Sequence, residues 1–411
     1  MLKVIELFSG VGAQKEALNN SGIEHEVVAI SEIDKYSIKS YRTLHGWTLN
    51  LGDIKKIEGL PKVDLWTYSF PCTDISLSGQ MKGFEKGSNT GSSLLWEVQR
   101  LLEVSKANNT LPRFLLMENV KNIVSKKFMP LFQVWIDYLS SLGYKSFYKI
   151  LNAKEYGVPQ NRERCFMLSV LNYEGDFFFP EQQELKVVLG DLLEDNVSDK
   201  YFLSDRYIKY ATDMENRNGF VRGVRFRPHD GKSKIAYTIT TNPGGRATDN
   251  YIILPAVGAI RGRPNEEGKN IQKLEVKNEP ITNTITTVQK DNVILVPEAT
   301  KAGYAAAEVG DGIYTNRMKF KRGVVQKSMI PTLKTSASDV GVVVNDKDDL
   351  ISIRRLTPRE CWRLMGWEDS RIDVAFSSGN SDTQLYKQAG NSIVVNVLTS
   401  VFKSMKKTFD L

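Results

Sequence analysis

Apolar, strand-like pieces alternate with helical ones through the first 170 residues, and this alternation restricts the fold more than any other feature of the chain. Residues 3–8 form a short apolar run leading into Ser9-Gly10-Val11-Gly12, and 14–20 then read as a helix. Residues 26–30 predict a second strand and 34–41 a helix. A third strand over 63–69 ends at Phe70-Pro71, and 94–104 carries the apolar stripe of a helix. A buried strand over 113–117, a helix over 128–142 and strands over 144–151 and 165–170 complete the series. Strands separated by helices predict an α/β fold with a doubly wound, mostly parallel sheet. Such sheets bind ligands beyond the carboxyl ends of their strands, so the loops that follow strands are where chemistry is sought.

The pattern changes near 177–180. Acidic runs occupy 181–216, and from 217 to 350 the helical period gives way to short pieces rich in Gly, Thr, Val, Ile and Asn. That β-rich stretch contains a near-repeat. Thr238-Ile239 and Thr284-Ile285 each precede an Asp-Asn-x-Ile-Ile/Leu strand, and Thr332-Leu333 is a weaker third copy. Two copies are preceded by Arg-x-Arg-Pro, at Arg225–Pro228 and Arg261–Pro264. The repeat fits either one domain of duplicated hairpins or several recognition units in tandem. Helical signals return at 357–364, where Thr357 is set to cap and Pro358 to open a helix. A last helix is predicted over 392–405, opened by Gln388-Ala389-Gly390-Asn391-Ser392. The expected domains are 1–180, 181–382, and a tail 383–411 that completes the first.

Composition narrows the function classes. The net charge of +7 is mildly basic and suits a polyanionic partner. It is unevenly spread: 217–234 holds six basic residues against one acid, and 317–327 five against none. Three cysteines (Cys72, Cys165, Cys361), with no C-x-x-C pair, make neither a disulfide framework nor a structural zinc site. No apolar run reaches the ~18 residues of a membrane span, and the first residues do not read as a secretory signal. A cytoplasmic protein without a metal is the expectation.

Several loops hold candidate residues. Phe8-Ser9-Gly10-Val11-Gly12 can turn sharply and admit a ligand, but Lys15 stands where a dinucleotide fingerprint needs glycine. Glu32 ends the second strand, where an acid can hold ribose hydroxyls or simply be solvated. Asp53 has the same ambiguity. Cys72 follows the third strand at the binding edge, and Glu118 follows the fourth. The Gly-rich stretch 76–89 has the character of a lid. Gln160-Asn161-Arg162-Glu163-Arg164 places two arginines on one face of an extended segment.

Taken in order, these motifs make the chain resemble the DNA (cytosine-5) methyltransferase family of bacteria and phages. The matching residues are Phe8-x-Gly10-x-Gly12, Glu32, Asp53-Ile54, Pro71-Cys72, Glu118-Asn119-Val120, Gln160-x-Arg162-x-Arg164, Arg355-Leu356-Thr357-Pro358-Arg359-Glu360 and Gly390-Asn391-Ser392. The resemblance implies the S-adenosylmethionine-dependent methyltransferase fold with a smaller β-rich target-recognition domain. It implies that Cys72 is the nucleophile, Glu118 the acid facing the base, Arg164 a polarising group and Arg162 its support. It further implies an S-adenosylmethionine pocket of Phe8, Gly10, Gly12, Glu32, Asp53, Ile54, Pro71, Leu94, Asn391 and Ser392. Double-stranded DNA would be held by Ser76, Gln80 and Lys82 of the lid and by Arg225, Arg227, Thr238, Arg261, Arg263, Thr284 and Thr332. A monomer is implied, serving restriction-modification beside a cognate endonuclease, or phage self-protection.

The chain departs from the family at Ser69, Thr73 and Ile75, where Gly, Gln and Phe are usual. These positions flank Cys72 without replacing it. Two other readings stay open: an RNA methyltransferase like the tRNA-modifying branch, and an inactive DNA-binding protein. Retention of Cys72, Glu118, Arg162 and Arg164 speaks against the second.

Overall fold

The computed structural model describes residues 1–71, 75, 91–194, 197–201, 235–239 and 356–411, together with the backbone of the strands between 251 and 355. The first unit is built on a seven-stranded sheet. Its strands are β1 (Leu2–Leu7), β2 (His25–Ser31), β3 (Leu49–Asn50), β4 (Leu65–Tyr68), β5 (Phe114–Val120), β6 (Tyr144–Asn152) and, beyond the two-residue β7 (Gln160–Asn161), β8 (Glu163–Leu171). The order across the sheet is β3-β2-β1-β4-β5-β8-β6. The five strands from β3 to β5 are parallel. β8 runs antiparallel to both β5 and β6. The strand order reverses between β1 and β4, which is the switch point where doubly wound sheets bind ligands.

Helices α1 (Ala13–Ser21), α2 (Lys35–His45), α3 (Leu95–Ala107) and α4 (Met129–Ser141) link these strands. Asp34 caps α2 by accepting from the N–H groups of Tyr36 and Ser37. All seven residues of β5 are buried, as a central strand covered on both faces requires. Trp66, Tyr68, Phe132 and Trp135 fill the core beside it, and Trp135 Nε1 donates to Tyr68 Oη at 3.2 Å.

The carboxyl-terminal region adds α5 (Pro358–Arg363), α6 (Asp369–Phe376), α7 (Asp382–Asn391) and α8 (Val395–Phe409). Pro358 opens α5, and Thr357 Oγ1 donates to Glu194. Val395, Leu398, Val401, Phe402, Met405 and Phe409 repeat at helical spacing and form the buried stripe of α8, which packs on α1. Residues 388–391 do not open the last helix, as the sequence predicted. They end α7, and Ser392 is extended (φ −72°, ψ 158°), so α8 starts three residues later.

The chain divides into two compact units. One contains Met1–Leu193, Lys234–Asn242 and Pro358–Leu411, and the other contains Glu194–Ser233 and Pro243–Thr357. The boundaries expected at 180 and 383 thus fall at 193 and 358, because α5 and α6 also belong to the first unit. The nine residues 234–242 belong to it as well, and they contain the first copy of the near-repeat.

The described strands of the second unit, β10 to β18, are short and antiparallel. β11 (Val257–Pro264) lies between β12 (Asn270–Lys277) and β13 (Asn292–Pro297), and β13 also pairs with β14 (Tyr304–Ala307). β15 (Gly312–Tyr314) lies between β16 (Val325–Gln326) and β17 (Val340–Val342), while β10 (Tyr251–Leu254) pairs with β18 (Ser352–Arg355). The strands that follow the three repeat copies are β10, β13 and β17. They lie in three different sheets, so the near-repeat is not mirrored by a repeated sheet unit among the described strands. No helix among the described residues is long and apolar enough to cross a membrane.

Candidate active site

The loop after β1 has three residues with positive φ: Phe8 (59°), Gly10 (56°) and Gly12 (84°). Phe8 is not glycine, so its left-handed backbone is uncommon and must be held by its surroundings. Glu32, just past β2, holds this loop. Its Oε2 accepts from Gly10 N–H at 2.8 Å, and its Oε1 accepts from Ile33 and Asp34 N–H. A carboxylate has about four lone-pair positions, so it can still accept a further donor such as a ribose hydroxyl.

The two glycines serve different purposes. A Cβ on Gly12 would lie 2.5 Å from His45 Nε2 and 2.7 Å from Tyr41 Cε2, whereas one on Gly10 would meet nothing within 4 Å. His45 is a fixed support here. Burial, then Lys15 and Arg371, hold its pKa down at about 3, so the ring is neutral. Its Nε2 lies 3.2 Å from Val11 O, as a donor should, and Nδ1 faces the Arg371 guanidinium as an acceptor. Gly12→Ala is therefore expected to destabilise the fold by about 2 kcal/mol or more. Gly10→Ala adds only left-handed strain of about 1 kcal/mol but points a methyl group into open space. Thermal melting and S-adenosylhomocysteine titration should separate them. Gly12→Ala lowers the melting temperature, while Gly10→Ala loses affinity roughly tenfold with a small shift in melting.

Phe8, Gly10, Ser69, Asn391 and Ser392 line one recess with Gln14 and Gln388. This brings together residues from the two ends of the chain. Gly12 is not on its wall; it packs behind the loop. Asp53 caps the turn Ile54–Lys56 through Lys55 N–H, and Ile54 is buried with its carbonyl held by Arg100. Leu94 ends the turn Gly91–Leu94 and is partly buried against the core. Pro71 is half-buried, and its carbonyl accepts from Ser92 Oγ at 2.7 Å.

Glu118 lies at the carboxyl end of β5, one strand from β4. β5 and β8 pair in a register that sets Val120 opposite Arg164 and Glu118 opposite Phe166. Glu118 and Arg164 are then diagonal neighbours on one face, and the ion pair Arg164 Nε to Glu118 Oε1 measures 3.3 Å. Burial pushes the Glu118 carboxyl above the ordinary range, against the opposing pull of Arg164, Arg162 and a hydrogen bond from Ser69. The next residue, Asn119, donates from Nδ2 to Phe70 O at 3.0 Å. Asn122 likewise donates to Ile75 O. The acid-bearing edge is thus hydrogen-bonded to the chain on both sides of Cys72. Neither asparagine was singled out from sequence, although Asn119 stands in a motif read for its neighbour. Cys165, opposite Asn119, is wholly buried, and its thiol is pushed up to about 12 by burial and by Glu118. It is an inert core residue.

Arg162 is not beside Arg164 in role. It is 4% exposed, and its guanidinium donates to Ile239 O (2.9 Å), Gly390 O (3.0 Å) and Ser392 O (2.9 Å). Gln160 was read only as part of a motif. Its Oε1 accepts from Ile239 N–H at 2.8 Å, and its Nε2 donates to Leu364 O. Thr238 Oγ1 donates to Asn161 O at 2.7 Å, and β9 (Ala236–Tyr237) pairs in parallel with β7. Thr238, expected among DNA contacts, therefore belongs to the first unit.

Cys72, Ser76, Gln80, Lys82, Arg225, Arg227, Thr284 and Thr332 lie outside the described residues. Arg261 and Arg263 lie on β11, opposite Lys273 and Ile271 of β12.

Comparison with known proteins gives these features a family. The model of the C-5 cytosine-specific DNA methylases matches residues 2–407. The type II methyltransferase M2.ScrFI of Lactococcus lactis subsp. cremoris is 31% identical, covering 99% of this chain and all of the relative. The orphan methyltransferase M.SPRI of Bacillus phage SPR is 30% identical over 99% of this chain and 98% of its own. The solved structure of S. pombe Dnmt2 methyltransferase shares the fold, with a TM-score of 0.60 at 18% identity and full coverage of both chains. The sheet with its switch point, the buried acid and the match along nearly the whole sequence agree: the chain belongs to the C-5 cytosine-specific DNA methylase family, and it is an enzyme of that class.

Proposed function

We propose that this enzyme methylates carbon 5 of a flipped-out cytosine in a specific duplex DNA sequence, through a covalent adduct to Cys72. The observation that carries this reading is the edge between β4 and β5. There buried Glu118, paired with the partly buried Arg164, is tied through Asn119 and Phe70 to the chain two residues before Cys72. Carbon 5 of cytosine is a weak nucleophile, and covalent addition overcomes this. The Cys72 thiolate adds to carbon 6. Ring nitrogen 3 takes the proton that Glu118 holds, so carbon 5 becomes enamine-like. S-adenosylmethionine supplies an electrophilic methyl group when bound. Carbon 5 forms its new bond to that methyl as the methyl–sulfonium bond breaks and S-adenosylhomocysteine is released, and carbon 5 then loses its proton to water. The carbon 6–sulfur bond breaks, Cys72 leaves as thiolate, and nitrogen 3 returns its proton to Glu118. Arg164 holds the charge of Glu118 and polarises the base carbonyl.

The recess after β1 suits the cofactor. Gly10 leaves open space, Glu32 faces the ribose, and Asn391 and Ser392 take the methionine end. Asp53 and Ile54 bound the adenine, with Phe8, Gly12, Pro71 and Leu94 shaping the surround. Duplex DNA fits the basic clusters at 217–234 and 317–327; Arg225 and Arg227 of the first cluster, with Arg261 and Arg263 of β11, supply phosphate and guanine contacts. The lid residues Ser76, Gln80 and Lys82 close on the duplex, and flipping costs a few kcal/mol of unstacking that pocket contacts offset. The enzyme acts as a monomer in the cytoplasm, in restriction-modification beside a separate endonuclease or in phage self-protection.

The test is incubation with labelled S-adenosylmethionine and either plasmid DNA or tRNA, followed by bisulfite sequencing. The expected result is 5-methylcytosine at one or more defined words of the plasmid. Transfer to tRNA alone, or to neither, overturns the proposal.

A further inference from the structure

The residues around Arg162 form a clasp between two parts of the chain that have different duties. On one side is the segment Lys234–Asn242, an island of the first unit whose two ends continue directly into the second unit at Ser233 and Pro243. On the other side is the link between α7 and α8, where Asn391 and Ser392 line the recess after β1. A single guanidinium serves both. One terminal nitrogen donates to Ile239 O, and the other donates to Gly390 O and Ser392 O, on either side of Asn391.

The chemistry of each partner makes the clasp rigid. Gly390 belongs to the last turn of α7, whose final carbonyls have no partner within the helix. A cation at that end is favoured by the helix dipole, and a planar fork can satisfy two carbonyls at once. Ile239 is gripped at both backbone groups, its N–H by Gln160 Oε1 and its carbonyl by Arg162. The residue before it is held by its hydroxyl on Asn161 O. These contacts bind backbone, so they fix position and read no side chain. Arg162 is buried at 4% exposure and donates to these carbonyls; its charge also acts on Glu118, whereas Arg164 is the arginine that forms the ion pair with Glu118.

We infer that Arg162 is a positioning residue that couples the segment entering the recognition unit to the cofactor wall at Gly390–Ser392. Binding of duplex DNA would then change the affinity for the cofactor, and the reverse must hold by the same factor. This rests on the proposed reading of the second unit as the DNA-recognition unit.

The test is the ratio of two affinities in the full-length enzyme. S-adenosylhomocysteine is titrated calorimetrically with and without plasmid DNA that the enzyme methylates. In the wild type, DNA is expected to tighten S-adenosylhomocysteine binding roughly tenfold. Arg162→Lys keeps the charge, but a compact ammonium cannot span both sides. It is expected to bring the ratio to within about twofold of one, even where each affinity alone also falls. A purely structural role would lower stability and both affinities and leave the ratio unchanged. Gln160→Met, which frees Ile239 N–H while Arg162 remains, is the second variant and decides the matter if Arg162→Lys does not fold; its ratio should fall at least threefold. A wild-type ratio near one, or a wild-type ratio preserved in the folded variants, overturns the coupling alone. Failure of the wild type to bind DNA at all overturns the coupling and the recognition reading together.

Discussion

Cys72→Ala is expected to reduce methyl transfer by roughly 10⁴-fold or more while duplex DNA and S-adenosylhomocysteine binding stay within a few-fold of wild type. The size follows from removing a nucleophile, which forfeits the covalent route and leaves only the binding and polarising groups. Its selectivity follows from the surroundings. The carbonyls of Phe70 and Pro71, the two residues before Cys72, are held by Asn119 and Ser92. Glu118, Arg164 and the recess after β1 keep their own contacts when the thiol is removed. Activity and affinity should therefore separate. A second signature is trapping: DNA containing 5-fluorocytosine at the target carries fluorine where a proton must leave, so the wild type should stay covalently bound. Cys72→Ala should give no such complex on a denaturing gel. Transfer by Cys72→Ala within tenfold of wild type, or a surviving covalent complex, would falsify the assignment of Cys72.

Much of the first unit was legible because its signals are local. An apolar strand followed by Ser9-Gly10-Val11-Gly12 can hardly be anything but a strand and a tight turn, and β1 and α1 lie there. The same holds for the strands at 63–69 and 113–117, which are β4 and β5. What sequence could not show was partnership across long separations. Gln160 meets Ile239 and Leu364, and Arg162 meets Ile239, Gly390 and Ser392, over separations of 77 to 230 residues. Nothing in the sequence announces these contacts, because the groups these side chains meet are backbone N–H and C=O groups that almost every residue has. For the same reason the two arginines of Gln160-x-Arg162-x-Arg164 read as equivalent, though only register with β5 brings Arg164 to Glu118. α6 and α7 escaped notice because their apolar stripes are short; α6 buries only Ile372 and Ala375. The misplaced start of α8 has a similar origin. Gly390-Asn391-Ser392 reads equally well as a start or a stop, and the extended Ser392 makes it a stop.

Glu118→Gln is expected to lower methyl transfer roughly 10²–10³-fold at neutral pH, the range seen when one group that stabilises developing charge is removed. Glutamine has nearly the same shape and can still donate an N–H to ring nitrogen 3, so cytosine binding should change little. It cannot hand over a proton. The pH dependence carries the sharper prediction. Burial raises the Glu118 carboxyl above the usual range despite Arg164 and Arg162, so it holds its proton at a higher pH than an exposed glutamate does. Activity that needs protonated Glu118 is full below that raised pKa and declines as pH climbs through it. Activity that needs the Cys72 thiolate changes in the opposite sense, rising with pH through the thiol's pKa. Together they give a bell-shaped profile whose limbs belong to the coupled site. In Glu118→Gln the alkaline limb set by Glu118 should vanish, and the residual rate should rise with pH towards a plateau. Arg164→Met removes the charge that opposes burial, so its alkaline limb should move to higher pH. Single-turnover rates between pH 5.5 and 9.5 measure both shifts. A Glu118→Gln profile that keeps the wild-type alkaline limb would show that another group supplies the proton, and Glu118 would then serve only to orient the base.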